Sequence, residues 1–421
     1  MIGRVAPALL ALGLLGACST TYPTPVIEPV QGTGPQEFAG LRELMDRPEG
    51  LRVLWTHGMC THSEAWVADR ANRVSIALGL GPLVQDLKPA RKQATQGRDD
   101  DSYTLPQRFT VDGRTMDIDY FVWSPIFAAA KAALDFDAPG GTRPGQRPTG
   151  KFRYDRAELN NTLKVGLMND CLADAVLYNG KRAASTTLRA RMREAVCTAL
   201  GGRMSGVLCD VGGATDARPV VFVTESLGSK FLFDAVRDLW DASESRPVNQ
   251  AALGARLANV RMLFMLANQI PLLDLADADA DAGPTTTRVG PAGASPSATP
   301  SSMGRFLDIL SKARRTPLRV APLATAPAPI ADPLTVVAFT DPNDLLSYRL
   351  LVSEMRLVPD AVRLFNVIAS NAPVYFGLVE RPDTAHCGYA FNAYVVGLLV
   401  QGHHPGAKLP SAPVTGTGSC F

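Results

Sequence analysis

The stretch Pro219-Val-Val-Phe-Val-Thr-Glu-Ser-Leu-Gly228 decides how this chain is read. Residues 219–223 form a short, continuously apolar run bounded by proline, the pattern of a strand covered on both faces. From 229 to 240 the apolar spacing becomes helical, with Leu232, Val236 and Leu239 on one face. The few residues between leave room only for a sharp bend, and Gly228 removes a side chain where strand and helix must pass. Outward from this unit, 51–55, 260–266, 334–339 and 364–368 read as further buried strands. Residues 107–111 and 114–123 flank Asp112-Gly113, a two-residue hairpin signal, and Met116, Ile118, Tyr120 and Val122 alternate with Asp117 and Asp119. Helical composition marks 37–45, 63–78 (Ser63 as N-cap), 126–134 and most of 155–200. Short apolar strands alternating with helices predict an α/β fold, with a mostly parallel central sheet and helices on both faces.

The organisation expected from this pattern is a main domain over 50–405. It carries a helical insertion at about 126–215 and a low-complexity loop at about 281–333, and 406–421 is a tail. Gly, Pro, Ser or Thr dominate 138–150, 281–302 and 321–333. Residues 18–49 read as a tether followed by a short helix, because Thr, Pro and Gly are frequent in 19–35.

The bend at Thr224-Glu225-Ser226-Leu227-Gly228 resembles the nucleophile elbow of the α/β-hydrolase family. That resemblance covers roughly 50–405 outside the insertions. Thr224 departs from it, being bulkier than the glycine usual at that position. The resemblance implies that Ser226 is a nucleophile, which needs a base to take its proton. The family order is serine, then acid, then histidine. Of His57, His62, His386, His403 and His404, the first two precede Ser226 and the last two follow an apolar helix near a Pro/Gly tail. His386, in a loop after the last strand, is the implied base. The implied acid lies in Thr340-Asp341-Pro342-Asn343-Asp344-Leu345-Leu346. Asp344, before two apolar residues, is preferred, and Asp341 is the alternative acid, which could instead organise the turn. The oxyanion donors implied are the N–H groups of Leu227 and of Met59, the latter in a His57-Gly58-Met59 segment that resembles the family's His-Gly motif. No cofactor is implied. His57, Cys60 and His62 lack a fourth ligand, so a metal is not expected there.

The first 17 residues carry a basic start and an apolar run too short to span a bilayer, the pattern of a signal peptide. Leu15-Gly16-Ala17-Cys18 resembles a bacterial lipobox, which implies lipidation of Cys18 and a membrane anchor. The expected location is the bacterial cell envelope, at the outer membrane facing the periplasm, where disulfides persist. Six further cysteines remain (Cys60, Cys171, Cys197, Cys209, Cys387, Cys420), and six allow 15 pairings. A Cys60–Cys387 bridge bracing the site is one candidate. Lys plus Arg number 42 and Asp plus Glu 40, so no overall basic charge argues for a nucleic-acid partner.

The function expected is a serine hydrolase cleaving a carboxylic ester or thioester in the cell envelope or outside it, with the 155–200 helices, and the 281–302 loop with them, shaping or covering its acyl pocket. The alternative, from another class, is a non-catalytic envelope lipoprotein of the same fold, used for binding or as a scaffold.

Overall fold

The computed structural model describes residues 18–30, 36–83, 102–137, 155–180, 183–212, 216, 218–276, 301–315, 332–351 and 361–412. Residues 1–17, expected to be a signal peptide, the stretch 138–150, most of 281–302 and 321–333, and Cys420 lie outside the described residues.

Eight strands make the main sheet: β1 (Val26–Pro29), β2 (Leu51–Thr56), β3 (Tyr103–Val111), β4 (Arg114–Val122), β5 (Val220–Glu225), β6 (Val260–Leu266), β7 (Leu334–Thr340) and β8 (Val362–Ile368). Their order is β1-β8-β7-β6-β5-β2-β4-β3. The six inner strands are parallel, and only the edge pairs β3·β4 and β8·β1 are antiparallel. The fold is therefore α/β with a mostly parallel sheet. Asp112 and Gly113 both take positive φ (49° and 76°), the type I′ geometry that joins β3 to β4 in register.

Both faces are covered, which is why the inner strands are apolar without interruption. Leu54, Phe222, Leu263 and Met265 point to one side, under α2 (Ala183–Ala199), α3 (Gly228–Ser243), α4 (Pro247–Ala258) and α5 (Ser302–Arg315). Val53, Trp55, Val221, Val223 and Phe264 point to the other, under α1 (Glu64–Ala77) and α6 (Ala393–Gln401). Ser63 caps α1, its side chain accepting from the Ala65 N–H. No helix among the described residues is long and apolar enough to cross a membrane.

Two segments differ from expectation. Val26–Pro29 is not tether but an edge strand, with Ile27 opposite Val367. An edge needs only one partner, so Pro29 is tolerated there. Residues 302–315, assigned to the low-complexity loop, are the helix α5. Met303, Phe306, Leu307 and Leu310 are buried on one face of it, each worth roughly 1.5–3 kcal/mol on burial. The expected helices at 63–78 and 126–134 are present as Glu64–Ala77 and Pro125–Ala132.

Candidate active site

The C-terminal ends of β5, β6 and β7 and the loop after β8 meet at one edge of the sheet, where ligand crevices of parallel sheets form. Ser226 follows β5 in a left-handed conformation (φ 52°), uncommon for a residue with a side chain. The Leu266 carbonyl accepts its N–H at 2.7 Å, which fixes the bend against β6. Two glycines make the bend possible. A Cβ on Gly228 would stand 2.7 Å from the His57 carbonyl oxygen, and one on Gly58 would stand 2.6 Å from the Ser226 Cβ. Thr224, the departure from the family pattern, causes no conflict. It is buried, and its hydroxyl bonds that of Ser229 at 2.8 Å.

His386 Nε2 lies 3.0 Å from Ser226 Oγ, and His386 Nδ1 lies 2.9 and 3.0 Å from the two oxygens of Asp344. Because Asp344 is an acceptor when ionised, Nδ1 carries the proton and Nε2 is left to accept one. Asp344 also accepts the Leu346 N–H (3.0 Å) and the Tyr389 hydroxyl (2.9 Å). Asp341 is turned away from His386. It accepts the Asn343 and Asn371 N–H groups at 2.9 and 2.6 Å, which makes it the organiser of the turn. Tyr389, which sequence reasoning missed, links the two, accepting the Asp341 N–H at 2.7 Å while donating to Asp344. Burial and the neighbouring Asp344 charge push the Tyr389 phenol well above its ordinary range, so it stays a donor.

The Met59 and Leu227 N–H groups find no acceptor among the described residues. Leu227 stands at the N-terminus of α3, whose dipole favours negative charge nearby. The loop carrying Met59 is pinned from every side. His57 Nδ1–H donates to the Gly58 carbonyl (2.8 Å) and its Nε2 accepts the Trp123 N–H (3.1 Å). Burial, then the nearby His62, drives its pKa well down, so the ring is the neutral acceptor this bond needs. His62 donates to the Met59 carbonyl at 3.0 Å, its own pKa lowered by burial to about 4. Both rings, like the Cys60 sulfur, are thus committed to structure.

Cys60 is bonded to Cys171, not to Cys387 as the sequence suggested, and Cys197 to Cys209. Cys387 is itself in a disulfide. The reason is the direction of the loop: Cys60 (φ 79°) turns from the cleft toward the 155–180 helices. There Asp174 accepts the Cys60 N–H and Asp170 the Thr61 N–H, each at 2.9 Å. Lys131, fully buried, sits between these carboxylates at 2.7 and 3.0 Å. Cys60, Asp170 and Cys171 are close enough to suggest a metal group, but both sulfurs are spent in the bridge.

Burial raises the Asp174 carboxyl to about 7, outweighing Lys131. Its unfolded value is near 3.8, so between those limits the folded chain keeps a proton that the unfolded chain has released. Stability therefore falls as pH rises through that window. Asp174→Asn keeps the acceptor for Cys60 and removes the titration. Its melting temperature is expected to match wild type near pH 4 and exceed it increasingly toward pH 8. Parallel curves across that range would refute the assignment.

A cleft of about 320 Å³ opens over Ser226 and His386, lined also by Met59, Trp66, Arg70 and Phe391. Among the described residues none from 155–200 lines it. Those helices meet the loop that carries Met59, through the Cys60–Cys171 bridge, Asp174 and Asp170. The floor holds a second feature missed in the sequence. Glu225 is gripped by Arg70 Nε at 2.9 Å and by Trp55 Nε1 at 3.0 Å. Burial raises the carboxyl, but the guanidinium outweighs it and holds Glu225 below its usual range.

None of the family models, curated proteins or solved structures compared with the chain matches it.

Proposed function

We propose that the chain is a serine hydrolase of the α/β-hydrolase fold, cleaving a carboxylic ester or thioester through an acyl-enzyme on Ser226. The observation that carries this reading is the continuous relay of Ser226, His386 and Asp344, with each link near 3.0 Å. His386 takes the Ser226 proton as Oγ attacks the carbonyl carbon, and Asp344 stabilises the imidazolium. The oxyanion would be received by the Leu227 and Met59 N–H groups. His386 then gives the proton to the leaving alcohol or thiol, and water, activated by the same imidazole, releases the acid. No cofactor is needed for these steps.

We also propose that Cys18 is acylated and that the protein sits at the cell envelope, with the membrane as its partner and no nucleic acid. A fluorophosphonate probe tests the catalytic reading. The folded wild type is expected to take the label and Ser226→Ala to refuse it. A folded wild type that takes none sinks the reading and favours a binding or scaffold role.

A further inference from the structure

Between β8 and His386 the chain makes a small hairpin. The Tyr375 N–H donates to the Val379 carbonyl (2.8 Å) and the Leu378 N–H to the Tyr375 carbonyl (3.0 Å). Its tip is apolar and points into solvent, with Phe376 66%, Leu378 87% and Val379 56% exposed. Phe376 and Gly377 both take positive φ (54° and 68°). Such a turn favours Asn or Asp at its first central position, where a bulky ring is costly. Phe376 accepts that conformation without packing inside the protein, so folding alone does not explain it. No residue of 374–379 is charged.

Two further contacts fix where this tip stands. The backbone of Cys18–Ser19 pairs antiparallel with Val374–Tyr375, with Cys18 opposite Tyr375. An acyl group on Cys18 therefore leaves the chain one strand spacing, about 4.8 Å, from the hairpin. At the base, Asn343 Nδ2 donates to the Glu380 carboxylate at 2.8 Å, which joins the hairpin to the turn carrying Asp344. Leu345, next to Asp344, is 73% exposed. Pro382–Cys387, the helix carrying His386, begins three residues after Val379.

We propose that residues 375–379 dock into the lipid bilayer beside the acylated Cys18, setting the Ser226 cleft against the membrane so that its substrate is an acyl ester held in the lipid phase. This rests on the hydrolase and lipidation readings above. A lipid surface is the occupant that fits, because an acylated Cys18 would hold the chain at a membrane and bring the uncharged, exposed tip paired beside it to the same surface. The anchored residue and the apolar tip lie side by side on one end of the molecule.

The test uses the full acylated chain carrying Phe376→Trp, in vesicles of phosphatidylethanolamine and phosphatidylglycerol with plain or brominated acyl chains. After subtraction of the unsubstituted chain, the added tryptophan is expected to shift to the blue and to be quenched by bromine. Emission equal in both vesicles, still open to aqueous acrylamide, overturns the proposal. So does a blue shift that appears without vesicles and grows with protein concentration, which would mean a second copy covers the tip. In a second arm, Phe376→Ser/Leu378→Ser is expected to lose about tenfold or more on a vesicle-borne ester, with hydrolysis of soluble p-nitrophenyl acetate unchanged. Equal loss on both substrates overturns it. The tryptophan readout needs no turnover, so it stands apart from the fluorophosphonate result. Labelled palmitate, expected on wild type and absent from Cys18→Ser, reports the anchor separately.

Discussion

Replacing His386 by alanine is expected to lower kcat by about 10⁵–10⁶-fold, and Asp344→Asn by about 10⁴-fold, with the fold intact in both. The difference follows from what each group does. Without His386 no base among the described residues is hydrogen-bonded to Ser226 Oγ to take its proton. Gln269 approaches the same nitrogen at 3.4 Å, but an amide is no base. Asp344→Asn leaves the ring in place and reverses its proton. An asparagine NH₂ facing Nδ1 forces the proton to Nε2, which can then no longer accept from Ser226. Asp341→Asn is the informative control. Asp341 holds the turn through Asn343 and Asn371 and does not meet His386, so its substitution should cost stability and far less rate. Hydrolysis of p-nitrophenyl acetate, with circular dichroism to confirm folding, measures all three. A loss for Asp341→Asn equal to that for Asp344→Asn would overturn the choice of acid.

Asp344 offsets the cost of burying its oxygens with hydrogen bonds. It is almost fully buried, yet it accepts from His386, Leu346 and Tyr389, so its lone pairs are not left bare in a low dielectric. Glu225 solves the same problem with Arg70 and two indole N–H groups, Trp55 at 3.0 Å and Trp66 at 3.4 Å. Ser226 thus stands between two hydrogen-bonded acidic side chains, Asp344 in line with His386 and Glu225 in the floor of the cleft.

What could be read from residues alone follows from which forces act locally. The inner strands announced themselves because burial on both faces demands uninterrupted apolar runs, and Asp112-Gly113 because its turn needs positive φ. Asp344 could be preferred over Asp341 because an aspartate before Pro342 has a local use in the turn, and Asp341 does serve the turn. The α5 helix was overlooked because Gly- and Pro-rich sequence lies on both sides of it, although Met303, Phe306, Leu307 and Leu310 keep helical spacing. Val26–Pro29 looked like tether because an edge strand owes its pairing to a partner more than 330 positions away. Cysteine pairing and the Arg70–Glu225 grip depend on contacts 111 and 155 residues apart, and nothing in local spacing encodes those.

Removing the Cys60–Cys171 bridge, as Cys60→Ala/Cys171→Ala, is expected to cost both stability and rate. The bridge spans 111 positions, so its loss frees an unfolded chain by about 4.8 kcal/mol in the loop-entropy account, against about 2.8 for Cys197–Cys209, which spans 12. The two bridges should differ more in rate. Cys60 directly follows Met59 and holds positive φ, a conformation that costs about 1–3 kcal/mol and persists only where neighbours enforce it. Those neighbours are the bridge, Asp174 and, through Thr61, Asp170. Once the covalent member is gone, Cys60 can relax and carry the Met59 N–H out of line. Losing one oxyanion donor costs about 10²–10³-fold in kcat. With two hydrogen-bonded members still present, the lower figure is expected, with KM little changed because the cleft walls stay in place. Cys197→Ala/Cys209→Ala, remote from that loop, should unfold earlier in urea and keep its kcat. If both double variants lose stability and neither loses rate, the Met59 loop does not depend on its tether, and the second oxyanion donor must be sought elsewhere.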